Sequence, residues 1–388
     1  MLLSDSADHD EIETAVAAVC RKFDDSYWLE KDTEAAFPHD FHRAIADGGW
    51  LGIAMPVEYG GSGLGITEAA VMMRAITRSG AGLAGASSVH MNIFGLNPVV
   101  VFGTDEQKAR MLPPLIRGDE KACFAVTEPD SGLNTINLKT RAERVDGGYR
   151  ISGQKIWIST AQVAEKALIL ARTADAGGPA GKTAGLSLFY TQLDRNYVQV
   201  SEIRKHGRHA VDSNVLFFDG LMVPEADLVG SEGAGFKQIL HGLNPERILI
   251  AAEAVGLGQV AIAKACDYTR ERVVFDRPVA QYQAIQHPLA RCWMNLEAAW
   301  LMTMRAAQLY DAGMECGAEA NTAKYLAGEA CFTACETAVL SHGGMGYAAE
   351  YHVERYLRES LISRIAPVSA QMIMNFVSEK VLGLPKSY

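Results

Sequence analysis

The sequence lacks the paired cysteines, the excess of positive charge and the uninterrupted apolar segment that mark several classes of protein. Its seven cysteines are scattered without a Cys-X-X-Cys pair, which indicates free thiols rather than a disulfide framework or a zinc site. Lysine and arginine number 36 against 46 aspartates and glutamates, so the net charge of −10 disfavours binding to nucleic acid or an anionic membrane. Residues 79–104 carry no formal charge, but polar residues and glycines interrupt them, which favours buried helices over a membrane span.

Several signature motifs are missing as well. The N-terminal segment is acidic and has no apolar run after a basic one, so we expect no secretory signal and a cytoplasmic location. The chain has no GxxxxGK[ST] and no HExxH, no GxSxG follows a strand, and the glycines at 343–346 are too few for a dinucleotide fingerprint. These absences disfavour a P-loop enzyme, a zincin, an α/β-hydrolase and a Rossmann-fold enzyme, and we expect no metal site.

Three regions of different pattern follow one another along the chain. Residues 1–119 have apolar residues at a spacing near 3.6, which predicts an N-terminal α-helical domain. Residues 120–230 contain short β-prone runs separated by turns, which predict a middle β-barrel or sandwich. Residues 231–388 return to long helical patterns, which predict a C-terminal four-helix bundle. The whole chain is therefore predicted to be an α+β multidomain protein.

Two motifs in the β region suit the binding of a flat aromatic group. Residues 124–132 end a strand in a Gly/Pro turn, which places backbone N–H groups and the hydroxyl of Thr127 where they suit the carbonyl edge of a flavin ring. Residues 155–160 place the indole of Trp157 beside the hydroxyl of Ser159, and an indole can stack on a heteroaromatic ring while the hydroxyl reaches a ring nitrogen. Taken alone, the first motif is better explained as an ordinary strand-turn and the second as a core tryptophan with a capped turn.

Together with further segments, these motifs resemble the acyl-CoA dehydrogenase family over essentially the whole chain. The resemblance implies a helical domain, a β-domain and a four-helix bundle, with FAD between the last two. It also implies a homo-oligomer, usually a tetramer, that oxidises an acyl-CoA to the trans-2-enoyl-CoA and passes the electrons to an electron-transfer flavoprotein. The further segments that carry it are residues 56–61, 216–219, 223–224, 228–233, 272–275 and 342–347.

The resemblance implies a set of FAD-contact residues. Thr127 and Ser159 match positions that hydrogen-bond the flavin ring, and Trp157 matches the residue that covers one ring face. Arg272 and Phe275 match a segment that reaches the pyrophosphate and adenosine of the FAD across subunits, where a guanidinium can bind phosphate in a bidentate manner. The remaining matches are Phe124, Val126, Gln283, Gly343, Ser369 and Gln371.

The catalytic base is expected on a helix rather than in a loop. Many family members carry this glutamate in a loop position that Pro367 occupies here. Isovaleryl-type and long-chain members instead carry it in a Glu-Arg pair on the first long helix of the C-terminal domain, and Glu246 and Arg247 match that pair. An apolar pocket would raise the pKa of Glu246, against the opposing helix dipole, so that it can accept the α-proton. Glu253, on the same helix face, is either a second pocket carboxylate or part of a polar packing network.

Departures from the family pattern leave the substrate open. Pro367 has no backbone N–H to hold the thioester oxygen, and Leu133 lacks the hydroxyl that often approaches the thioester tail. The expected substrate contacts are Leu133, Asn244 and Arg247. The sequence does not fix the length of the acyl chain, and the carrier is either CoA or a protein-bound pantetheine. The alternatives to dehydrogenation are other thioester chemistry, such as sulfinate elimination, and a non-catalytic scaffold.

Overall fold

The structure, a computed structural model, describes residues 7–175 and 183–387 and confirms the order of a helical, a β and a second helical region. In the first region, the apolar spacing of residues 10–29 predicts a single helix, but these residues form two. The second begins anew because the carboxylate of Asp24 accepts a hydrogen bond from the N–H of Tyr27 and caps it. The uncharged residues 79–104 form two mostly buried helices. The helices of this region are α1 (Ala7–Cys20), α2 (Asp25–Glu34), α3 (His39–Asp47), α4 (Ile66–Ile76), α5 (Gly82–Phe94), α6 (Asn97–Phe102) and α7 (Asp105–Ile116).

The middle region is an eight-stranded sheet that is mostly antiparallel. Its strands are β1 (Ala122–Ala125), β2 (Arg141–Val145), β3 (Gly148–Ser159), β4 (Lys166–Arg172), β5 (Leu186–Gln192), β6 (Val198–Glu202), β7 (Ser213–Pro224) and β8 (Leu228–Val229). The strand order is β6-β7-β3-β2-β4-β5-β8, and β1 pairs with β4 in parallel. Strand β4 is buried on both faces, since Ala167 and Ile169 pack into one apolar cluster while Leu168 and Leu170 pack into another.

The C-terminal region contains three long helices and a fourth, shorter one. The helical pattern of residues 365–381 predicts the fourth helix there, but this helix begins only at Ala370, because the hydroxyl of Ser369 accepts from the N–H of Met372 and caps it. The helix continues as a π-helical turn over Val377–Val381. The elements are α8 (Gly235–His241), α9 (Leu243–Glu271), the hairpin β9 (Val273–Val274) and β10 (Arg277–Pro278), α10 (Gln283–Asp311), α11 (Gly317–His342), α12 (Val353–Ser360), α13 (Ile362–Ile365) and α14 (Ala370–Phe376).

Helix α9 lies at the centre of the protein and packs against α4, α5, α10 and α11. Gly258 allows a close helix approach, because a Cβ at this position would lie 2.6 Å from the side chain of Leu296. Among the described residues, the stretch Gly235–Glu271 is the one helix long and apolar enough to cross a membrane, and 78% of its most apolar part is buried inside the protein. The helix therefore has the burial of a core helix, and residues on its first turns face the junction of all three regions.

Candidate active site

Glu246 lies in the first turns of α9, where its carboxyl group lines a narrow pocket. Its N–H donates to the carbonyl of Gly242 at 3.2 Å, so the backbone is already helical at this residue. Burial raises the pKa of Glu246 to about 7, while His90 and Arg247 oppose this rise and Glu253 adds to it. The pocket is lined by Gly95, Pro98, Phe124, Ile239, Gly242, Leu243 and Glu246.

Two cationic side chains, those of Arg247 and Lys324, lie close to the start of α9. Arg247 donates from Nη1 to Oδ1 of Asn244 at 2.9 Å, which brings two of the predicted substrate contacts together. Lys324 is buried and donates from Nζ to the carbonyl of Val368 at 2.6 Å. Burial, together with the charge of Arg247, lowers the pKa of Lys324 to about 8. This lysine thus fixes the loop that contains Pro367, the position at which the resembling family usually carries its base.

A buried ion pair holds the turn that carries Thr127. Lys155 is fully buried and donates from Nζ to the Glu128 carboxylate at 2.9 Å and to the carbonyls of Val126 and Leu170 at 2.9 and 2.8 Å. The carbonyl of Thr127 itself accepts from the N–H of Ile156 at 2.9 Å. The two motifs found in the sequence are therefore adjacent and joined, although nothing in the sequence indicated that a lysine would join them.

Trp157 sits on a β-bulge in strand β3. The register between β3 and β7 shifts between Ile156 and Ile158, and Trp157 has a positive φ of 61°. The bulge turns the indole away from the sheet and leaves 56% of the residue exposed. Ser159 follows two residues later, so an exposed aromatic face and a hydroxyl lie side by side at the edge of the β region. This arrangement suits a flat ring, and it disfavours the core-tryptophan alternative.

Glu253 is part of a polar network inside the helical core. It is 1% exposed, and its Oε1 lies 2.5 Å from Nδ1 of His90 on α5. Burial opposes protonation of His90, but the charges of Glu253 and, more weakly, Glu246 outweigh it and raise its pKa. This pairing favours the network alternative for Glu253 over the second-base alternative.

Arg208 is a candidate residue that sequence reasoning missed. It has a positive φ of 59° in the loop between β6 and β7, and its guanidinium donates to Oγ of Ser87 at 2.9 Å and to Oγ of Ser159 at 3.0 Å. Its side chain keeps some accessible surface, yet the surrounding protein lowers its pKa by desolvation. In the sequence, Arg208 belongs to a basic run at residues 204–209 that has the composition of a solvated loop. The sequence pattern therefore does not predict that this side chain points into the protein.

The other predicted FAD contacts fall into two groups. Ser369 and Gln371 lie beside the loop that Lys324 holds, and Ser369 already serves as a helix cap. The second group lies at the opposite end of the bundle, because α9 alone separates Glu246 from Arg272 by about 39 Å at 1.5 Å per residue. The second group consists of Arg272, Phe275, Gln283 and Gly343, and the stacking of Tyr268 on His342 at 4.4 Å places the end of α11 there as well.

Among the predicted substrate contacts, Leu133 is 67% exposed on the loop after β1. Asn244 and Arg247 contact each other on α9. No three histidine, cysteine, aspartate or glutamate side chains within residues 7–175 and 183–387 are grouped so that they could hold a metal ion.

Comparison with protein-family models matches all three regions of the chain. Models of the N-terminal, middle and C-terminal domains of acyl-CoA dehydrogenases match residues 6–119, 123–221 and 233–382. The chain is 37% identical over 388 residues to the acyl-CoA dehydrogenase FadE12 of Mycobacterium tuberculosis, covering 99% of this chain and 98% of that protein.

Solved structures with the same architecture include the butyryl-CoA dehydrogenase of Megasphaera elsdenii, with a TM-score of 0.93 and 26% identity over 98% of this chain and 100% of the other. A glutaryl-coenzyme A dehydrogenase in complex with glutaryl-CoA has a TM-score of 0.92 and 28% identity, over 100% of this chain and 98% of the other.

Proposed function

Because the chain belongs to the acyl-CoA dehydrogenase family, we propose that it oxidises the Cα–Cβ bond of an acyl-CoA thioester to the trans-2-enoyl-CoA, with Glu246 as the base. One observation carries the proposal. The carboxyl group of Glu246 lines an apolar pocket between α9 and the β region, with a pKa of about 7. A carboxylate with this pKa is ionised in part at neutral pH and is basic enough to accept a proton from carbon in the transition state.

The residues at the edge of the β region fit FAD as the cofactor. The exposed indole of Trp157 offers a face for the flavin ring, and Ser159 and Thr127 offer hydroxyl groups within the same edge. When bound, FAD supplies the acceptor for the hydride that leaves Cβ. The side chains around Glu246 then have three tasks, which are to bind the thioester, to exclude water and to take the α-proton.

The pocket around Glu246 is suited to the proton step. Apolar groups from Pro98, Ile239 and Leu243 keep water from the carboxylate, which preserves its raised pKa. Arg247 and Asn244 lie on the same helical turns and offer the substrate a positive charge and an amide. Glu246 receives the α-proton on its carboxylate oxygen and must release it before the next turnover.

The positions of the remaining predicted contacts support a homo-oligomer, which we propose to be a tetramer. Arg272 lies about 39 Å along α9 from Glu246, so it would serve the FAD of another subunit. Phe275 is 86% exposed and Tyr347 is 90% exposed at this end of the bundle, where a partner subunit or its cofactor would cover them. We further propose an electron-transfer flavoprotein as the acceptor of the electrons.

Anaerobic bleaching of the flavin by an acyl-CoA tests the proposed reaction. We expect the native protein to bleach and Glu246→Gln to bleach at least about a thousandfold more slowly while keeping its FAD, because an amide cannot take the proton. Glu271→Gln removes an exposed carboxylate from the other end of the same helix and is the matched control. Unchanged bleaching in Glu246→Gln would place the base elsewhere, and a yellow protein that no acyl-CoA bleaches would point to other thioester chemistry.

A further inference from the structure

Three charged side chains form a cluster beyond Glu246 that the proposed reaction does not use. We name it the inner polar cluster, and it consists of His90 from α5, Arg208 from the β6–β7 loop and Glu253 from α9. His90 and Glu253 contact each other at 2.5 Å. Arg208 interacts electrostatically with both of these side chains. Its positive charge opposes the protonation of His90, and the negative charge of Glu253 favours the protonated form of Arg208.

The cluster lies further along the same helix face as the proposed base. Glu253 is seven residues after Glu246, which corresponds to two helical turns and about 10 Å along the axis. The guanidinium of Arg208 also hydrogen-bonds Ser159 at 3.0 Å, and Ser159 is the proposed contact of the flavin ring. An acyl chain that places Cα at Glu246 and Cβ at the flavin, and that follows this helix face, would reach Arg208.

Arg208 is the one member of the cluster without a close counter-charge. No carboxylate in residues 7–175 and 183–387 lies within 4.0 Å of its guanidinium, and the hydrogen bonds that it makes go to serine hydroxyls. His90 neutralises Glu253 by direct contact. Arg208 is therefore the member of the cluster that has no direct carboxylate partner, although the charges of Glu253, Glu359 and Asp212 favour its protonated form at longer range. A charge in such surroundings is stabilised by a paired anion with good geometry.

We propose that Arg208 binds a carboxylate carried by the acyl chain, so that the substrate is the CoA thioester of a short dicarboxylic acid. This inference rests on the proposed dehydrogenation. A guanidinium is suited to the task because its planar N–H groups bind a carboxylate in a bidentate manner. Ser87 and Ser159 hold the guanidinium from two different elements and so fix its direction. The contact between His90 and Glu253 prevents that glutamate from repelling the incoming carboxylate.

The test compares acyl-CoA esters of matched chain length, with and without a terminal carboxylate. We expect the native protein to have the higher kcat/KM for the carboxylated ester. Arg208→Met should lower the ratio of the two kcat/KM values at least about 30-fold, mainly through KM, because truncating one partner of a buried charge pair leaves the other unpaired. Arg208→Lys keeps the positive charge but loses the planar pair of N–H groups, so it should retain part of the preference for the carboxylated ester.

A purely structural role of Arg208 predicts a different pattern. In that case Arg208→Met would lower thermal stability and the turnover of both esters by the same factor, and the inference would be overturned. Ser87→Ala is the matched control, because it removes one hydrogen bond of the guanidinium and keeps the charge of Arg208. Most of the preference for the carboxylated ester should therefore remain.

The outcomes for the two proposals can be told apart. A native protein that oxidises the plain acyl-CoA as well as or better than the carboxylated ester overturns the role of Arg208 and leaves the dehydrogenation standing. A native protein that oxidises none of them, but whose flavin absorbance responds to the carboxylated ester only while Arg208 is present, overturns the dehydrogenation and supports the carboxylate site.

Discussion

At the scale of single residues, the environment of Glu246 determines its chemistry. Two effects act on its pKa in opposite directions, since burial disfavours the charged carboxylate while the charges of His90 and Arg247 favour it. Burial is the larger effect, and the pKa rises to about 7. The residue type and its place in a Glu-Arg pair were readable from the sequence, but the size of the burial depends on Phe124 and Ile239, which approach from other elements.

The raised pKa predicts how the reaction depends on pH. Only the ionised carboxylate of Glu246 can accept the α-proton, so kcat/KM should rise tenfold per pH unit below about 7 and level off above it. Steady-state assays with an artificial electron acceptor over a pH series measure this curve. A rise centred near the ordinary glutamate pKa would show that the carboxyl group is solvated during the reaction.

The same pKa predicts a stability effect that needs no catalysis. Between the ordinary value of 4.5 and about 7 the folded state holds a proton on Glu246 that the unfolded state has lost, so stability falls as pH rises through this window. The loss amounts to about 3 kcal/mol at most. Glu246→Gln does not titrate, and its melting temperature relative to the native protein should increase from pH 5 to pH 8. The exposed Glu271→Gln should show no such trend.

At the scale of elements, regular patterns were predictable and local interruptions were not. The three long helices of the bundle follow from periodicity, as does the β character of residues 120–230. The split at Asp24 and the late start at Ala370 come from single capping side chains within otherwise helical patterns. The bulge at Trp157 and the inward turn of Arg208 depend on contacts with β7 and α5, which no local pattern encodes.

The bulge predicts that Trp157 contributes more to cofactor binding than to folding. Trp157→Gly should change the unfolding free energy of the apoprotein by less than about 1 kcal/mol, because relief of the positive φ offsets the added chain entropy. The affinity for FAD should fall at least about tenfold, because the ring loses its stacking surface. Isothermal titration with FAD and thermal melting measure the two quantities. The buried Trp28→Gly is the contrasting variant, since it should destabilise the protein by several kcal/mol.

At the scale of the whole molecule, the exposed far end of the bundle predicts that assembly and cofactor retention are linked. Phe275→Asp should lower the oligomeric state and reduce the FAD content together, because Phe275 is 86% exposed in one chain and belongs to the segment proposed to reach a neighbouring cofactor. Light scattering and the ratio of flavin to protein absorbance measure both. Met314→Asp alters a residue that is 58% exposed at the other end of α10 and should leave both unchanged. Full FAD content in a monomeric variant would contradict the shared site.

Helix α9 runs for 29 residues from the turn of Glu246 to the residue before Arg272. If the two ends of α9 serve two different FAD molecules, each polypeptide contributes residues to two active sites. A copy that is altered at both ends would lose its own proton acceptor and disrupt its neighbour's FAD site, so the activity of a mixed assembly would fall faster than the fraction of altered copies rises. A plot of activity against the fraction of altered copies would accordingly bend below a straight line.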